Sequence, residues 1–208
     1  MSAFFVTGTD TNVGKTVLSA LLVAALDGTY WKPIQTGSKD GTDRQQVMQW
    51  ADIPESRTIP ESYCFEPPVS PHLAAAAAGI AIDLNRISLP QTATGPLVIE
   101  GAGGVMVPIN DADTMLGLMR HLGVPAVIAS RTALGTINHT LLTVHALRGA
   151  GIEILGVVMI GEENADNERS IERYGSVRIA GRIPPLNCIC YRTLVQVFER
   201  EFEREAFA

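Results

Sequence analysis

Residues 4–16 constrain the fold of this chain more than any other segment. They read Phe-Phe-Val-Thr-Gly-Thr-Asp-Thr-Asn-Val-Gly-Lys-Thr, an apolar strand followed by a glycine-bearing turn and a helical pattern. A loop between a strand and a helix N-terminus turns several backbone N–H groups toward one point, where they can hold phosphate oxygens. In such a loop Lys15 reaches the terminal phosphates and the hydroxyl of Thr16 binds Mg²⁺. Gly8 and Gly14 enclose five residues, so the segment is a variant of the usual motif, which has four.

Short apolar runs alternate with helical patterns along most of the chain. The predicted strands are residues 4–7, 30–34, 97–100, 126–130, 154–160 and 177–183. The predicted helices are residues 15–26, 43–51, 114–122, 136–150, 166–174 and 192–204. Runs rich in Val and Ile with flanking Gly or Pro are typical of strands that are buried on both faces. The alternation predicts an α/β fold with a doubly wound, mostly parallel sheet flanked by helices and with ligands beyond the carboxyl ends of the strands. Together with the loop at residues 8–16, it indicates a fold of the P-loop NTPase type.

Length and charge limit what the chain can be. Its 208 residues are 46% hydrophobic and 18% charged, enough to build one sizeable core and unlike a disordered chain. We predict a single nucleotide-binding domain over residues 1–208, in which residues 52–96 form a long excursion with one short helix after Pro71. The net charge of −6 offers no basic face to nucleic acid or to an anionic membrane, and no apolar run is long enough to span a bilayer.

The cysteines indicate the compartment. Cys64, Cys188 and Cys190 are an odd and sparse set, which is typical of a reducing cytoplasm without structural disulfides. The N-terminus also lacks a signal-peptide pattern, so we predict a cytoplasmic protein. Cys188 and Cys190 are close in sequence, but no cluster of His or Cys accompanies them. We therefore predict that they are packing residues and not metal ligands.

Two polar groups besides the phosphate loop follow predicted strands. Lys32-Pro33-Ile34-Gln35-Thr36-Gly37 ends the second strand, and Glu100-Gly101-Ala102-Gly103-Gly104 ends the third. A nucleotide-dependent enzyme needs a carboxylate near the loop to hold Mg²⁺, usually at the end of an apolar strand, and Glu100 has that position. Two plainer interpretations stay open from the residues alone: Glu100 as a solvated strand-end carboxylate and Lys32 as a surface lysine.

Five segments together resemble the dethiobiotin synthetase family. They are Gly8-Thr9-Asp10-Thr11-Asn12-Val13-Gly14-Lys15-Thr16, the Lys32–Gly37 segment, Pro68-Val69-Ser70-Pro71-His72, the Glu100–Gly104 segment and Leu134-Gly135-Thr136-Ile137-Asn138-His139. They occur in the family's order between residue 4 and about residue 185. The first segment is shared with related amidoligase ATPases, whereas the Lys-Pro and Gly-Thr-Ile-Asn-His segments are far more specific.

The resemblance implies an ATP-dependent cyclo-ligase of biotin biosynthesis. Such an enzyme makes dethiobiotin from 7,8-diaminopelargonic acid, CO₂ and ATP, through a carbamate and a carbamic-phosphoric anhydride. The carbamate and the γ-phosphate are both anionic, so cations between them lower the repulsion and neutralise the developing charge.

The resemblance also assigns roles to residues. It makes Lys32, Lys15 and Thr11 catalytic, and it gives Mg²⁺ an all-oxygen ligand set. That ligand set is Thr16, Asp43 and Glu100, although Asp43 alone is equally well interpreted as a helix N-cap. Thr36 and Asn138 would bind the substrate, Asn138 across a homodimer interface. The expected nucleotide contacts are Asn12, Val13, Gly14, Lys15, Thr16, Val17, Asp43, Glu100, Gly101, Ala102, Gly103, Ile160, Gly161, Pro184, Pro185 and Leu186.

The chain departs from the family pattern at two places. The family commonly has Glu where this chain has Asn12, which removes a carboxylate near the phosphates. Many members have an Asn-Asp-like pair that reads adenine, where this chain has Ile160-Gly161. Isoleucine can pack on a base but cannot accept its amino hydrogen, so the base preference is open. Backbone groups near residues 181–186 are the expected substitute.

Three rival functions remain at this point. Another amidoligase-type ATPase, such as the ATP domain of a cobyrinic acid amidase, would need a glutaminase domain, for which 208 residues leave no room. A partitioning or membrane-site-selecting ATPase would carry a signature lysine early in the loop, where this chain has Asp10. A nucleotide-binding protein without catalysis is the third.

Overall fold

The computed structural model describes residues 2–91 and 95–207. The strands within those ranges are β1 (Ala3–Gly8), β2 (Thr29–Trp31), β3 (Ile34–Thr36), β4 (Thr58–Ile59), β5 (Tyr63–Phe65), β6 (Leu97–Gly104), β7 (Ala126–Arg131), β8 (Ile154–Ile160) and β9 (Ile179–Ile183). The α-helices are α1 (Lys15–Leu26), α2 (Asp43–Ala51), α3 (Pro71–Ala77), α4 (Met115–Leu122), α5 (Thr136–Gly149), α6 (Ala165–Gly175) and α7 (Tyr191–Glu201). None of these described helices has the length and apolar character that crossing a membrane requires.

The main sheet is parallel and places β1 near its centre. Its strand order is β4-β2-β6-β1-β7-β8-β9, and every pairing in it is parallel. The neighbours of β1 are β6 and β7, so the chain leaves β1 at the point where the strand order reverses, which is where doubly wound sheets bind ligands. The predicted α/β fold is confirmed, and the phosphate loop lies at the expected edge of the sheet.

Alternation along each strand builds a core on both faces of the sheet. Phe5 packs in one buried cluster with Ile99 and Ile128, and Phe4 packs in a second cluster with Val98 and Val127. Successive side chains of a strand point to opposite faces, so each strand contributes to both clusters. This arrangement explains why the strands read as continuous apolar runs.

The structure corrects two parts of the sequence-based prediction. The predicted strand over residues 30–34 is two strands, because β2 ends at Trp31 and β3 pairs with β5 in a separate small sheet. Pro33 has no N–H to donate to a ladder, which favours a break there. Residues 52–96 were predicted to contain one short helix, but they also supply β4 to the edge of the main sheet and β5 to the small one.

The packing prediction for the cysteine pair is wrong for Cys188. Cys188 is exposed and Cys190 is only half-buried. Both residues follow the end of β9, on the loop that leads into α7, and a connecting loop runs over the surface. The third cysteine, Cys64, is also exposed.

The C-terminal helix is held by an aromatic cluster, which gives a stability prediction. The Phe198 ring lies 5.3 Å from that of Phe202 and 6.2 Å from that of Phe207, measured between centroids, and Phe198 is 2% exposed. We expect Phe198→Ala to lower the free energy of unfolding by about 3–5 kcal/mol, because it leaves a cavity in this cluster. Denaturant unfolding would measure this, with the exposed Gln196→Ala as control. Equal stability of the two variants would contradict the packing account.

Candidate active site

The loop between β1 and α1 has the backbone conformation of an anion-binding turn. Gly14 is the residue before α1 and has φ 97°, and Asn12 has φ 56°. Asparagine tolerates this left-handed region better than most residues, which suits it to the position. The ammonium of Lys15 donates to the backbone oxygen of Asp10 at 2.9 Å. The loop therefore curls around its own lysine, whose charge lies at the start of the helix.

The space beside Gly14 is also crowded. A Cβ atom built there would lie 2.9 Å from Cδ1 of Ile160, at the end of β8. Ile160 therefore packs directly against the loop. The role of Ile160 in nucleotide binding stays a prediction, and this contact shows only that its side chain borders the loop.

A buried ion-pair network lies beside the loop. The ammonium of Lys32 is 2.5 Å from Oδ2 of Asp43 and 3.0 Å from Oε1 of Glu100. The hydroxyl of Tyr30 donates to Oε2 of Glu100 at 3.0 Å. The side chains of Lys32 and Glu100 are 6% and 1% exposed, so this pair is far from a surface salt bridge. Both plainer interpretations, a surface lysine and a solvated carboxylate, are thereby wrong.

Electrostatics fix the charges in this network. Burial disfavours the charge of Lys32, but Glu100 and Asp43 outweigh it and raise the pKa of Lys32 above its ordinary value. Burial alone would raise the pKa of Asp43, but the attraction and the hydrogen bond of the Lys32 ammonium are stronger, so the pKa of Asp43 is lowered. Burial and the facing Glu100 raise the pKa of Tyr30, which stays a hydrogen-bond donor. Lys32 is therefore a permanent buried cation.

Lys15 differs from Lys32. Burial lowers the pKa of Lys15 to about 8, with Glu100 opposing this shift and the nearby charge of Lys32 adding to it. Two cations thus lie close to one another, and a bound anion would favour the charged form of both. The site is built to receive negative charge.

Local structure aims Asp43 at this network. Thr42, and not Asp43, is the N-cap of α2, where it forms a capping box with Gln45. The carboxylate of Asp43 is consequently free to face Lys32. The backbone N–H of Asp43 donates to Oε1 of Gln35 at 3.1 Å, and Gln35 also donates to the backbone oxygen of Thr36 at 2.7 Å. Gln35 therefore ties a predicted metal ligand to a predicted substrate residue.

The oxygen atoms of Thr16, Asp43 and Glu100 fit a hard cation. The Thr16 hydroxyl lies 3.1 Å from Oδ1 of Asp43 and 3.0 Å from Oε1 of Glu100. A hydroxyl has one hydrogen and can satisfy only one of these acceptors, whereas Mg²⁺ would attract all three oxygens. Across residues 2–91 and 95–207, no three His, Cys, Asp or Glu side chains are grouped to hold a metal. Water and phosphate oxygens would complete the coordination.

A cleft of about 990 Å³ opens above the network. It brings together most of the predicted site, namely Thr11, Asn12, Gly14, Lys15, Thr16, Val17, Lys32, Thr36, Asp43, Glu100, Ala102 and Gly103. Among the described residues, the remaining predicted ones lie outside its lining: Val13, Gly101, Asn138, Ile160, Gly161, Pro184, Pro185 and Leu186. Val13 is buried, and Gly101 packs against the Phe5 ring, so neither presents a side chain to a ligand. Gly161 and Pro184 border a second cavity of about 90 Å³.

Three residues at the site were not predicted from their sequence pattern. Tyr30 reads as one more apolar strand residue, and its contact with Glu100 depends on β2 lying beside β6. Gln35 lies in a motif but has no charge. Trp50 reads as a packing residue yet lines the cleft. The chemistry of Gln35 and its position after a strand could have identified it, whereas Tyr30 and Trp50 carry no such signal.

Comparisons with known proteins show which family and which fold this chain is similar to. The family model described as an AAA domain matches residues 2–189. The ATP-dependent dethiobiotin synthetase of Novosphingobium aromaticivorans is 48% identical over 208 residues, which is 100% of both chains. That of Nitrobacter hamburgensis is 48% identical over 202 residues, covering 97% of this chain and 95% of its own. A solved ParA-family ATPase from Chlorobium tepidum has a TM-score of 0.51 at 11% identity, covering 96% and 92% of the two chains, and shares the P-loop NTPase fold.

Proposed function

Because this chain belongs to the ATP-dependent dethiobiotin synthetase family, we propose that it closes the ureido ring of dethiobiotin from 7,8-diaminopelargonic acid, CO₂ and ATP. The observation that carries this function is the buried ammonium of Lys32, which faces the same cleft as Lys15 and the phosphate loop. Two neighbouring cations in a cleft suit a reaction in which two anions must meet.

The first steps join the carbamate to the phosphate. One amine of the substrate attacks CO₂, and the loss of a proton leaves a carbamate anion. A carbamate oxygen then attacks the γ-phosphorus of ATP, and ADP leaves. Lys32 is proposed to hold the carbamate, while Lys15 and Thr11 hold the transferred phosphoryl group. Their charges and hydrogen bonds lower the repulsion between the two anions.

The last step closes the ring. The second amine attacks the carbonyl carbon of the anhydride, and phosphate leaves with the oxygen that came from the carbamate. The protein forms no covalent bond in this sequence, so its work is positioning and charge stabilisation. Thr36, tied to Gln35 at the cleft wall, is proposed to position the diamine.

Magnesium is proposed to bind the oxygens of Thr16, Asp43 and Glu100, where it would neutralise the charge of the phosphates.

The proposed nucleotide contacts run from Asn12 to Val17 and from Glu100 to Gly103. Ile160, Gly161 and the Pro184–Leu186 segment are proposed to border the base. Because Ile160 cannot accept a hydrogen bond, we propose that backbone groups contact the base and that other triphosphates also bind.

We propose one domain, residues 1–208, that carries both sites and acts as a homodimer in the cytoplasm. Strands of one seven-stranded sheet come from both halves of the chain, which supports a single domain, and the free thiols suit a reducing compartment. Asn138 lies in the first turn of α5 and is exposed, away from the cleft of its own chain. An exposed helix N-terminus outside the cleft suits a contact made to a neighbouring subunit's substrate carboxylate.

The rival functions are less well supported. The relatives match this chain over nearly their whole length, which leaves no added glutaminase domain in them. The likeness to a ParA-family ATPase is at 11% identity and extends to the fold alone. The buried Lys32 network argues against a protein without catalysis. A protein that only binds a nucleotide does not need a second buried cation beside Lys15.

Product formation tests the proposed function. Protein, ATP, Mg²⁺ and bicarbonate are incubated with and without 7,8-diaminopelargonic acid, and phosphate and dethiobiotin are measured by colorimetry and mass spectrometry. We expect both products only when the diamine is present. Phosphate release that ignores the diamine would point to a switch ATPase.

The proposed role of Asn138 gives a further prediction. Asn138→Ala is expected to raise KM for the diamine about tenfold with KM for ATP unchanged, because it removes a hydrogen bond to a charged group. His145→Ala, at an exposed position of the same helix, is the control.

Mixing Asn138→Ala with Lys32→Ala tests the contact across subunits. If Asn138 serves the partner's site, one site of each mixed dimer regains both residues, and with the diamine well below its KM the activity rises above that of either variant. An unchanged KM, or no recovery on mixing, would contradict the interface role.

A further inference from the structure

A pair of thiols lies on the loop between β9 and α7. Cys188 is exposed and Cys190, the N-cap residue of α7, is half-buried. One residue separates them in the chain, and the side chain of each contributes to the pKa of the other. Two thiols this close, and reachable from solvent, are not explained by packing or by the proposed reaction.

The surroundings of the two sulfurs differ. The hydroxyl of Thr193 is 3.0 Å from Sγ of Cys190, and it also lies 3.0 Å from the backbone oxygen of Cys188 and 3.1 Å from that of Cys190. A hydroxyl has a single hydrogen, so at any moment it donates either to the Cys190 sulfur or to one of the two backbone oxygens. When Cys190 loses its proton, the hydroxyl can turn and donate to the thiolate.

The two thiols therefore have different acidities. Hydrogen bonding to the Thr193 hydroxyl lowers the pKa of Cys190, and backbone groups of Arg192 and Thr193 in the first turn of α7 add to this. The neighbouring Cys190 raises the pKa of Cys188. One thiol is prepared to be the nucleophile, and the other stays protonated beside it.

We propose that Cys190 and Cys188 form a peroxide-reactive dithiol, in which Cys190 is oxidised first and Cys188 resolves it into a disulfide within the loop. The Cys190 thiolate attacks one oxygen of hydrogen peroxide and becomes a sulfenic acid as the O–O bond breaks. The other oxygen leaves as hydroxide, which takes up the proton that the thiol had released and becomes water. The Cys188 sulfur then attacks the Cys190 sulfur, and the hydroxyl leaves as a second water with the Cys188 proton. Two thiols are oxidised and one peroxide is reduced, and a reducing thiol reverses the change.

The disulfide has an expected consequence for the enzyme, which rests on the proposed function. The same loop carries Pro184, Pro185 and Leu186, the proposed neighbours of the base. Cross-linking Cys188 to Cys190 constrains this loop beside the start of α7. We expect the oxidised enzyme to have a KM for ATP about fivefold higher, with KM for the diamine unchanged.

Trypsin makes the oxidation directly measurable. Cleavage after Arg182 and Arg192 releases residues 183–192, which contain both cysteines and no other. After treatment of the intact protein with hydrogen peroxide, we expect this peptide to lose two hydrogen atoms, and dithiothreitol to restore them. In Cys188→Ser the loss is expected to vanish and Cys190 to gain oxygen instead. A wild-type peptide that gains oxygen without losing hydrogen would overturn the disulfide.

Alkylation rates test the asymmetry between the thiols. We expect iodoacetamide to modify Cys190 roughly threefold or more faster than the exposed Cys64, and Thr193→Val to remove that advantage. Equal rates at Cys190 and Cys64 in the wild-type protein would overturn the role of Thr193. These readouts do not depend on catalysis, so they are separate from the test of the enzyme's reaction.

A disulfide that forms and leaves KM for ATP unchanged would overturn the link to the nucleotide loop.

Discussion

Lys32→Ala is expected to lower kcat for dethiobiotin formation by about 10²–10³-fold, since it removes a preorganised charge from a buried site. The Lys32 ammonium contacts both Asp43 and Glu100 and faces the cleft, so the substitution removes a positive charge from the two carboxylates and from the cleft. Lys39→Ala is the matched control, because Lys39 is exposed and near the same cleft wall. Steady-state kinetics with saturating ATP and diamine would measure the effect.

The same variant needs a test of folding, because it leaves two carboxylates facing each other. Removing one partner of a buried pair is destabilising, by about 3–5 kcal/mol in other proteins. Lys32→Met keeps most of the side-chain volume, and circular dichroism and thermal unfolding with Mg²⁺ present would show whether each variant is folded. Turnover at the wild-type rate in a folded Lys32 variant would remove this residue from the mechanism.

Glu100→Gln is the second change with a large expected effect. We expect the Mg²⁺ concentration for half-maximal activity to rise at least roughly tenfold, because a charged oxygen ligand becomes a neutral one. The substitution also weakens the hold on Lys32 and on the Tyr30 hydroxyl, so kcat at saturating Mg²⁺ is expected to fall as well.

A magnesium titration of activity measures this effect. Glu66→Gln, which removes a charge from an exposed loop, is the control for net charge. If the Mg²⁺ dependence of Glu100→Gln matches that of the control, Glu100 is not a ligand, whatever happens to kcat.

The sequence predicted the parts of the fold that local pattern determines. Strands buried on both faces show as runs such as Val98 and Ile99, and the loops that follow them carry the chemistry. The sequence also placed Lys15, Lys32 and Glu100 at one edge of the sheet, because the carboxyl ends of parallel strands meet there. The cleft confirms that these residues lie together.

The remaining features depend on contacts between residues far apart in the chain. Strand β4 has two residues, and its place at the sheet edge comes from pairing with β2 and not from its own sequence. The Tyr30–Glu100 hydrogen bond spans 70 positions. Exposure of Cys188 follows from where β9 ends, and short apolar-rich segments do not reveal such endpoints. Sequence reasoning therefore located the charged side chains of the cleft better than the residues that support them.

The route of oxygen from bicarbonate tests the proposed chemistry most directly. The protein is mixed with ATP, Mg²⁺, 7,8-diaminopelargonic acid and ¹⁸O-labelled bicarbonate, and the phosphate is analysed by mass spectrometry before the label exchanges with water. If the carbamate is phosphorylated, the phosphate carries one labelled oxygen, in proportion to the dethiobiotin formed and only when the diamine is present. Unlabelled phosphate formed together with dethiobiotin would contradict the carbamic-phosphoric anhydride and, with it, the role proposed for Lys32.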